Sequence, residues 1–497
     1  MAHTMHIRGT NPILPMDFPD PDVIRVGDTY YMASTTMYFM PGCVILRSFD
    51  LIHWEYCARV YDILEDTERQ RLEGDKNAYG CGMWAPTLRY HEGVFHVCFM
   101  ANDTRKTYLF TSTDIRGPWK KSYIEGFYHD PSLFFDEDGR KFIIYGNKRI
   151  FITELEADLS RPKAGGLHRL LADSGENGGR LGYEGSHFYK INGKYYLFLI
   201  HSLPQRWMRV ETCLMADALT GDFTGGIIFN DDLGFCDPGA AQGGLVDTPW
   251  GDWYAILFQD RGAAGRMPVL LPMTWEAERP VIQAAKTVQA PSTRPDHAYA
   301  PLYGSDNFDS PALSPWWEWN HMPDHALWQT GGGRLVLSAG ETASSLTQTK
   351  NILTQRALFP GCSAIVTLDA GELREGDRAG LCVLQSRWGW IGLERRKEGF
   401  RLVHRARNDA AETDGREICS LPWENPSVTL KITLDFDDLR DEAHFFYWQE
   451  GAWKKIGGPH GMHFLLDHFT GNRFGLFLQS ARQTGGKAAF KHFIYEA

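Results

Sequence analysis

A hairpin pattern that recurs five times in the first half of the chain limits the fold more than any other feature. Each copy has a leading residue, a short apolar run, a turn that ends in Gly, and an aromatic-rich apolar run. The copies are DPDVIRVGDTYYMAST from Asp20, WAPTLRYHEGVFHVCFM from Trp84, DPSLFFDEDGRKFIIYG from Asp130, EGSHFYKINGKYYLFLI from Glu184 and QGGLVDTPWGDWYAILF from Gln242. Their turn glycines are 66, 46, 54 and 58 residues apart. A propeller blade of four strands takes roughly 40 to 50 residues plus loops, so the repeat predicts a five-bladed β-propeller.

The rest of the chain also has a strand pattern, but without the repeat. A second extended pair follows the leading hairpins, and no long segment has helical periodicity. The composition changes near Ala284 to a stretch rich in Ala, Pro and polar residues, and ten or so short strands then follow at intervals of roughly 8 to 14 residues. We therefore predict an all-β protein with a five-bladed propeller over 1–285, a linker over 286–304 and a concanavalin-like β-sandwich over 305–497.

Charge and composition exclude several classes of partner. The net charge of −11 argues against nucleic acid and against an anionic membrane, and it suits a neutral substrate. The nine Cys lack CxxC spacing, and Cys98, Cys213 and Cys382 lie inside apolar runs, which favours reduced structural thiols. No apolar stretch is long enough to span a bilayer, and the first residues lack the apolar region of a signal peptide. These features predict a cytoplasmic protein, unless a signal peptide was removed, and they leave its oligomeric state open.

Acidic residues lead three of the five hairpins. The first strand of each blade lines the propeller axis, so residues at equivalent positions converge on one end of it. Asp20 and Asp130 match in register through the Asp-Pro that each begins, and we assign Glu184 to the same position of the fourth repeat. Asp22 then matches Ser132, which weakens its claim to a catalytic role. Clustered carboxyl groups push their pKa values apart, as acid and base catalysis of glycoside hydrolysis requires.

Other chemistries receive less support. The chain has no GxSxG, HExxH, Walker or GxGxxG-helix motif. Trp84, Phe39 and Tyr38 are expected beside the blade mouths, where a sugar ring could stack on them, although each is about as well explained as a core residue. No cofactor is required by the pattern, and Ca²⁺ stays open because carboxylates and carbonyls suit it.

The hairpins also carry a family resemblance. NPILPMDFPDPDVIRVGDTYYM, GMWAPTLRYHEGVFHV, HDPSLFFDEDGRKFIIYG and EGSHFYKINGKYYLF closely resemble glycoside hydrolase family 43, whose five-bladed propellers act on xylan and arabinan side chains. DNFDSPALSPWWEWNHMPD resembles the β-sandwich that follows the propeller in the β-xylosidase branch. The resemblance implies an inverting hydrolase with Asp20 as general base, Glu184 as general acid, and Asp130 holding the acid and tuning its pKa. Inversion requires about 6.5 to 9.5 Å between the acid and base carboxyl groups.

The same resemblance implies further residues of the pocket. Trp84 matches the Trp of the family's WAP motif, His129 a pocket-wall residue, and Arg266 a fifth-blade Arg that contacts sugar hydroxyls; a loop-bracing Arg is the alternative. One departure concerns the fifth repeat, where many relatives have a His that helps hold a calcium or a water. Gln242 takes that position here, which puts a His-anchored metal in doubt.

These observations predict an exo-glycosidase that releases a terminal β-D-xylosyl or α-L-arabinofuranosyl unit from small oligosaccharides. Exo action is expected because a funnel closed at its base admits one terminal residue, and the second domain could narrow its mouth. The alternatives are an endo-arabinanase or exo-galactanase of the same fold, and a lectin whose carboxylates only bind sugar hydroxyls. A retaining enzyme acting on fructose is a weaker alternative, since such enzymes have NDPNG where this chain has FPDPD.

Overall fold

The computed structural model describes residues 5–175, 179–409 and 411–497. The predicted all-β fold is confirmed: a five-bladed propeller precedes a β-sandwich, and the described residues form no α-helix. The short 3-10 turns are Gly262–Ala264, His325–Leu327, Leu346–Gln348 and Asp437–Leu439. None of these described helical turns has the length and apolar character needed to span a bilayer.

Each blade is a four-stranded antiparallel sheet whose first strand faces the axis. Blade 1 contains β2 (Asp22–Val26), β3 (Thr29–Ser34), β5 (Gly42–Ser48) and β6 (Glu55–Tyr61); β4 (Phe39–Met40) leaves it. Blade 2 contains β7 (Met83–His91), β8 (Val94–Ala101), β9 (Lys106–Ser112) and β10 (Lys120–Ile124). Blade 3 contains β11 (Ser132–Phe135), β12 (Lys141–Asn147), β13 (Arg149–Leu155) and β14 (His168–Asp173). Blade 4 contains β15 (Glu184–Ile191), β16 (Lys194–Ser202), β17 (Arg209–Ala216) and β18 (Thr224–Phe229). Blade 5 contains β19 (Ala240–Asp247), β20 (Trp253–Asp260), β21 (Arg266–Glu276) and β22 (Arg279–Ile282).

The turn glycines join the first and second strands of every blade. They are Gly27, Gly93, Gly139, Gly193 and Gly251, with φ between 65° and 91°. Such φ values are costly for residues with a Cβ, which explains why Gly ends each hairpin turn in the sequence. The aromatic and aliphatic residues of the flanking strands pack between neighbouring blades and form the propeller core.

The ring of blades closes between blade 5 and blade 1. Part of the predicted linker forms a strand that pairs near the N-terminus of the chain. Gly244 N–H donates to Pro21 O across this junction (3.1 Å). Two further strands, β1 (His6–Thr10) and β23 (Thr287–Pro291), pair with each other. The prediction of a linker without strands over 286–304 is therefore wrong for 287–291, where Val288 and Ala290 are buried. Two alternating apolar residues are too few to be recognised as a strand in the sequence.

Two facing sheets form the sandwich around one large apolar core. One sheet has the order β32-β31-β30-β29-β37-β27-β24-β4, with β24 (Glu318–Asn320), β27 (Leu353–Arg356), β29 (Asp377–Leu384), β30 (Gly389–Arg396), β31 (Gly399–Ala406), β32 (Arg416–Trp423) and β37 (Arg473–Ser480). The other has the order β25-β26-β38-β28-β33-β34-β35, with β25 (Trp328–Gly331), β26 (Arg334–Ser338), β28 (Gly361–Asp369), β33 (Ser427–Asp435), β34 (Glu442–Gln449), β35 (Ala452–Lys455) and β38 (Lys487–Glu496). β36 (His460–Gly461) pairs with β34.

The two domains share backbone and charge contacts. β4, which belongs to the propeller by sequence, pairs with β24 and completes the first sandwich sheet. Glu318 on β24 is fully buried and binds three guanidinium groups, those of Arg59 from blade 1 and of Arg356 and Arg473 from the sandwich. These contacts hold the sandwich against the end of the propeller where the leading residues lie.

Candidate active site

One backbone position repeats in all five blades just before or within the first strand. Its residues have left-handed φ values between 37° and 64°: Asp20, Ala85, Asp130, Gly185 and Gln242. In blades 2, 4 and 5 this position lies in a β-bulge, which is a common device for aiming a side chain beside an active site.

This register corrects one assignment made from the sequence. Asp20 and Asp130 are equivalent as predicted, but Gly185, and not Glu184, takes their position in blade 4. Glu184 is equivalent to His129 and Trp84, one residue earlier. The β-bulge in blade 4 accounts for this shift of one residue. It adds a residue to the first strand, which a match by residue type cannot reveal.

Hydrogen bonds between neighbouring blades fix this register. The Gly185 N–H donates to Asp130 Oδ2 (3.1 Å), so blade 3 holds the backbone that carries the next acidic residue. The hydroxyl of Thr35 donates to Asp20 Oδ2 (2.7 Å) and accepts from the Ala85 N–H (2.8 Å). Thr35 thus bridges the repeat positions of blades 1 and 2, and the Gly185–Asp130 bond joins those of blades 3 and 4 directly.

Asp20 is a buried carboxylate held on both of its oxygens. Only 6% of the residue is exposed, and its Oδ1 accepts from Arg266 Nη1 at 2.7 Å. Burial raises the pKa of Asp20, whereas the Arg266 guanidinium and the Thr35 hydroxyl oppose that rise. The carboxylate is therefore oriented, and it is a stronger proton acceptor than an exposed aspartate.

Asp130, His129 and Glu184 form a second group. His129 Nε2 lies 3.3 Å from Glu184 Oε2 and 3.6 Å from Asp130 Oδ2. Burial lowers the pKa of His129, but the charge of Asp130 and the contact with Glu184 outweigh it and raise that pKa to about 9. Burial also raises the pKa of Asp130; His129 opposes the rise and the charge of Glu184 adds to it. At neutral pH the group therefore holds a cationic imidazole between two carboxyl groups.

Asn147 is a contact of Glu184 that the sequence did not predict. It ends β12, and its side-chain amide donates to Glu184 Oε2. Glu184 itself keeps 19% of its side chain exposed, whereas Asp20 and Asp130 keep 7% each. Glu184 is therefore the carboxyl group of the three that a leaving group reaches most easily.

A metal could in principle use the same residues. The ligand atoms of His129, Asp130 and Glu184 lie within 4.8 Å of one another, and no other such group occurs among the described residues. A protonated imidazole is a poor ligand, however, and Ca²⁺ prefers oxygen. The donor set therefore does not fit Ca²⁺ well.

A guanidinium group lies below the pocket, between the first strands of the blades. Arg89 donates through Nη1 to Asp22 Oδ2 (2.6 Å), through Nη2 to Ser132 Oγ (3.0 Å) and through Nε to Leu133 O (3.0 Å). His187 Nδ1 lies 3.3 Å from the other oxygen of Asp22. Burial acts to raise the pKa of Asp22, but Arg89 and His187 outweigh it and lower that pKa to about 2. Asp22 is thus a structural carboxylate that Arg89 binds directly and that His187 approaches from its other side.

The sandwich contributes one wall of the pocket through its rim loop, residues 462–472. Phe469 of this loop lies 5.3 Å from Trp84 between ring centroids, and the Arg266 guanidinium lies 4.4 Å from the Phe469 centroid. Asp17 fixes the loop, since its carboxylate accepts from the Gly471 N–H (2.9 Å) and from the Arg266 N–H (2.8 Å). Phe469 is therefore the residue of the second domain that could narrow the mouth of the pocket, as the sequence predicted.

The remaining sequence candidates lie in different surroundings. Trp84 borders the pocket, with its ring centroid 6.2 Å from that of His129. Gln242 is buried, and its side chain packs against Gly185, the residue that follows Glu184. Its backbone N–H donates to Glu211 Oε2 (2.7 Å).

Phe39 and Tyr38 do not border the pocket as expected. Phe39 is 1% exposed on β4, with the Arg473 guanidinium 3.5 Å from its ring centroid. Tyr38 is 2% exposed and stacks on His321 of the sandwich. The expectation that a sugar stacks on them is wrong, because the domain interface covers both rings. They support Trp84 and Phe469 from behind.

The arrangement offers two carboxyl groups that are suited to proton transfer. Asp20 is a buried, ion-paired carboxylate suited to accept a proton from water, and Glu184 is a partly exposed carboxyl group suited to donate one. Arg266, His129, Asp130 and Asn147 hold these two groups in place.

Comparison with known proteins identifies both domains. Residues 9–279 match the model of "Glycosyl hydrolases family 43", and residues 305–496 match the "Beta xylosidase C-terminal Concanavalin A-like domain". A β-xylosidase of Formosa agariphila is 25% identical over 549 aligned residues, which cover 98% of this chain and 90% of that protein. Xylosidase/arabinosidase 43B of Humicola insolens is 27% identical over 98% of this chain and 97% of that protein.

A solved structure from Bacteroides eggerthii, described as a bifunctional GH43-CE protein, is 39% identical with a TM-score of 0.91. The alignment covers 99% of this chain and 64% of that longer chain. The family model alone matches more than half of this chain, and the propeller and the sandwich agree with it. The chain is a glycoside hydrolase that belongs to glycosyl hydrolase family 43.

Proposed function

We propose that the enzyme is an inverting exo-glycosidase that removes terminal β-D-xylosyl or α-L-arabinofuranosyl units from small, neutral oligosaccharides. The observation that carries the proposal is a continuous set of contacts around Phe469. Arg266, which pairs with Asp20, and Trp84 both contact Phe469, and Trp84 lies beside His129, which together with Asn147 holds Glu184. Relatives named β-xylosidase and xylosidase/arabinosidase support the pentose preference.

In this mechanism Asp20 acts as the general base. It removes a proton from a water molecule while the water oxygen attacks the anomeric carbon. Glu184 gives its proton to the glycosidic oxygen as the bond between that oxygen and the anomeric carbon breaks. The released sugar then has the opposite anomeric configuration, and we expect about 6.5 to 9.5 Å between the two carboxyl groups.

Three residues position the acid. Asp130 holds the Gly185 N–H, while His129 and Asn147 contact the Glu184 carboxyl group directly. The charge of Glu184 adds to the rise in the pKa of Asp130, which shows that the two carboxyl groups interact. We assign Trp84 and Arg266 to the walls around the terminal sugar.

Exo action follows from the way the pocket is closed. Phe469 covers one side, where it contacts Trp84 and Arg266, and such a wall favours a pocket that admits a chain end over an open groove. An endo-arabinanase is therefore less favoured, and an exo-galactanase is less favoured because the relatives are named β-xylosidase and xylosidase/arabinosidase. A lectin is less favoured too, because binding alone does not need a buried carboxylate paired with Arg266.

We propose that catalysis needs no Ca²⁺. The cationic His129 and the guanidinium group of Arg89 provide positive charge in the pocket and below it, where a cation would compete with them. Activity should be the same after EDTA treatment as before it. A loss that Ca²⁺ restores would contradict this part of the proposal.

A substrate screen tests the proposed specificity. The enzyme should hydrolyse nitrophenyl β-D-xyloside and nitrophenyl α-L-arabinofuranoside and leave the nitrophenyl galactoside unchanged. Xylo-oligosaccharides should release xylose from the first time point. Oligosaccharide products that precede any monosaccharide would replace the exo assignment with endo action, and binding without turnover would indicate a lectin.

The leaving group tests the roles of the carboxyl groups. Glu184→Ala should lose far more activity on xylobiose than on a nitrophenyl xyloside, because nitrophenolate leaves without a proton. Equal losses on both substrates would contradict the assignment of Glu184 as acid. Proton NMR of the first sugar formed should show the inverted anomer.

A further inference from the structure

Two adjoining cavities lie where the first sandwich sheet meets the propeller loop 72–79, away from the catalytic carboxyl groups. Their volumes are about 440 and 520 Å³. Gly74, Ser344 and Gln348 line both, so the two cavities form one continuous groove. Each volume falls within the range of about 300 to 1,000 Å³ that is typical of small-molecule sites.

The first cavity is polar, and its charges are already paired. Arg378 donates to both oxygens of Asp414 (2.7 and 2.9 Å), and Glu341 pairs with Lys350 at 3.2 Å. Because each of these charges has a partner, this end of the groove offers little attraction to an ion. An ionic ligand is therefore a poor match for it.

At this end of the groove, amide and hydroxyl groups are the groups available to hydrogen-bond with a ligand. Gln479 is 1% exposed and donates through Nε2 to Ala343 O (3.1 Å), while its Oε1 has no donor among the described residues. The Oε1 of Gln348 also lacks a described donor. Thr342 and Ser344 are exposed beside them. A buried acceptor without a donor is costly, and sugar hydroxyls can both donate and accept.

The second cavity adds a pair of stacked rings and reaches the rim loop. Tyr79 and His468 line it, and their rings stack at 3.8 Å between centroids. Asp467 and His468 border the groove, whereas the next residue, Phe469, contacts Trp84 at the active site. The same loop thus separates the groove from the catalytic pocket.

From these contacts we propose that the groove is a second binding site, on the sandwich domain, for a neutral oligosaccharide. This site goes beyond the hydrolysis proposed above and does not depend on turnover. Its occupant would use hydroxyl groups against the amides and hydroxyls of the first cavity, and would extend towards Tyr79 and His468 in the second.

Binding stoichiometry tests the proposal. The full chain carrying Glu184→Gln, which prevents turnover, is titrated with xylotetraose and, separately, with cellotetraose, and the bound copies are counted by native mass spectrometry. We expect two copies of xylotetraose per chain. Adding Ser344→Trp, which places an indole where both cavities meet, should reduce the count to one.

Matched variants make the result interpretable. Thr220→Trp adds the same ring at an exposed position between β17 and β18 and should keep two copies. Gln348→Ala removes an amide without adding bulk, and it should weaken the second binding event at least tenfold even if Ser344→Trp folds poorly. One copy per chain before any groove substitution, or two copies after both groove substitutions, would overturn the proposal. Failure of the proposed function would show up separately, as wild-type enzyme that does not hydrolyse pentosides.

Discussion

At the residue scale, the site depends on how each carboxyl group is surrounded. Asp20 and Asp130 could be matched from the sequence because an Asp-Pro pair marks the same backbone position twice. Glu184 was identified by its residue type, but it was matched to the backbone position that Gly185 takes. The β-bulge that causes this shift of one residue cannot be recognised from residue types. Asn147 could not be predicted at all, because its contact with Glu184 joins residues 37 positions apart in different blades.

Arg266 should set the acid limb of the pH profile. Asp20 must be ionised to act as base, so activity falls as the pH drops through its raised pKa. Arg266 lowers that pKa; Arg266→Met should therefore raise it and move the acid limb of kcat/KM to higher pH, by about one to three units. The measurement is kcat/KM against pH on nitrophenyl xyloside. Arg266→Lys keeps the charge and should move the limb less, whereas an unmoved limb in Arg266→Met would contradict the coupling.

Asn147 should act on the acid step. Asn147→Ala removes a hydrogen bond to Glu184 Oε2 and should lower kcat on xylobiose about tenfold, since hydrogen bonds to charged groups contribute about 1.5 to 3 kcal/mol. Nitrophenyl xyloside, which needs little acid assistance, should lose less. The comparison of kcat for the two substrates is the measurement, and Asn307→Ala, at an exposed Asn of the sandwich, is the control. Equal losses on the two substrates would show that Asn147 supports the fold and not the acid.

At the element scale, the strands and turns of the propeller were predictable because the period-two pattern and the turn glycines are local signals. The short elements were not. β4 has two residues and β23 has five, and both are defined by partners far away in sequence, β24 and β1. Phe39 was assigned to the pocket for this reason: nothing in its neighbourhood indicates that its strand joins the other domain.

The rim loop should matter for catalysis although it belongs to the sandwich. Phe469→Ala removes the contacts with Trp84 and Arg266 and opens that wall to water. Aromatic pairs contribute about 0.5 to 1.5 kcal/mol, so we expect kcat/KM on nitrophenyl xyloside to fall about tenfold. Leu466→Ala, in the same loop and 72% exposed, should leave kcat/KM unchanged. Wild-type kinetics for Phe469→Ala would mean that the loop only borders the pocket.

At the scale of the whole molecule, the sequence predicted two domains and the structure shows how firmly they are joined. Glu318, Arg59, Arg356 and Arg473 come from four strands in two domains, and a sequence pattern cannot bring them together. Although burial opposes ionisation of Glu318, the three guanidinium groups keep its pKa well below the ordinary range. The interface thus contains a buried carboxylate that stays charged.

Glu318→Ala should destabilise both domains together. It leaves three guanidinium groups without their shared partner, and breaking such a buried pair costs about 3 to 5 kcal/mol. Urea unfolding followed by intrinsic fluorescence measures the change. Glu375→Ala removes the partner of Arg482 at a site where the side chains are 43% and 67% exposed, and it should cost about 0 to 1 kcal/mol. A loss for Glu318→Ala as small as for the control would show that the cluster is not needed for stability.

The bond between Asp17 and Gly471 has a consequence for how the enzyme is made. These residues are 454 positions apart, and the bond fixes the loop that carries Phe469. On a ribosome, domains generally fold in the order in which they emerge. The propeller can therefore assemble its five blades while its pocket still lacks a wall, and that wall arrives only after residue 471 has left the exit tunnel. Premature termination after the fifth blade but before residue 471 would yield a propeller without a complete catalytic pocket.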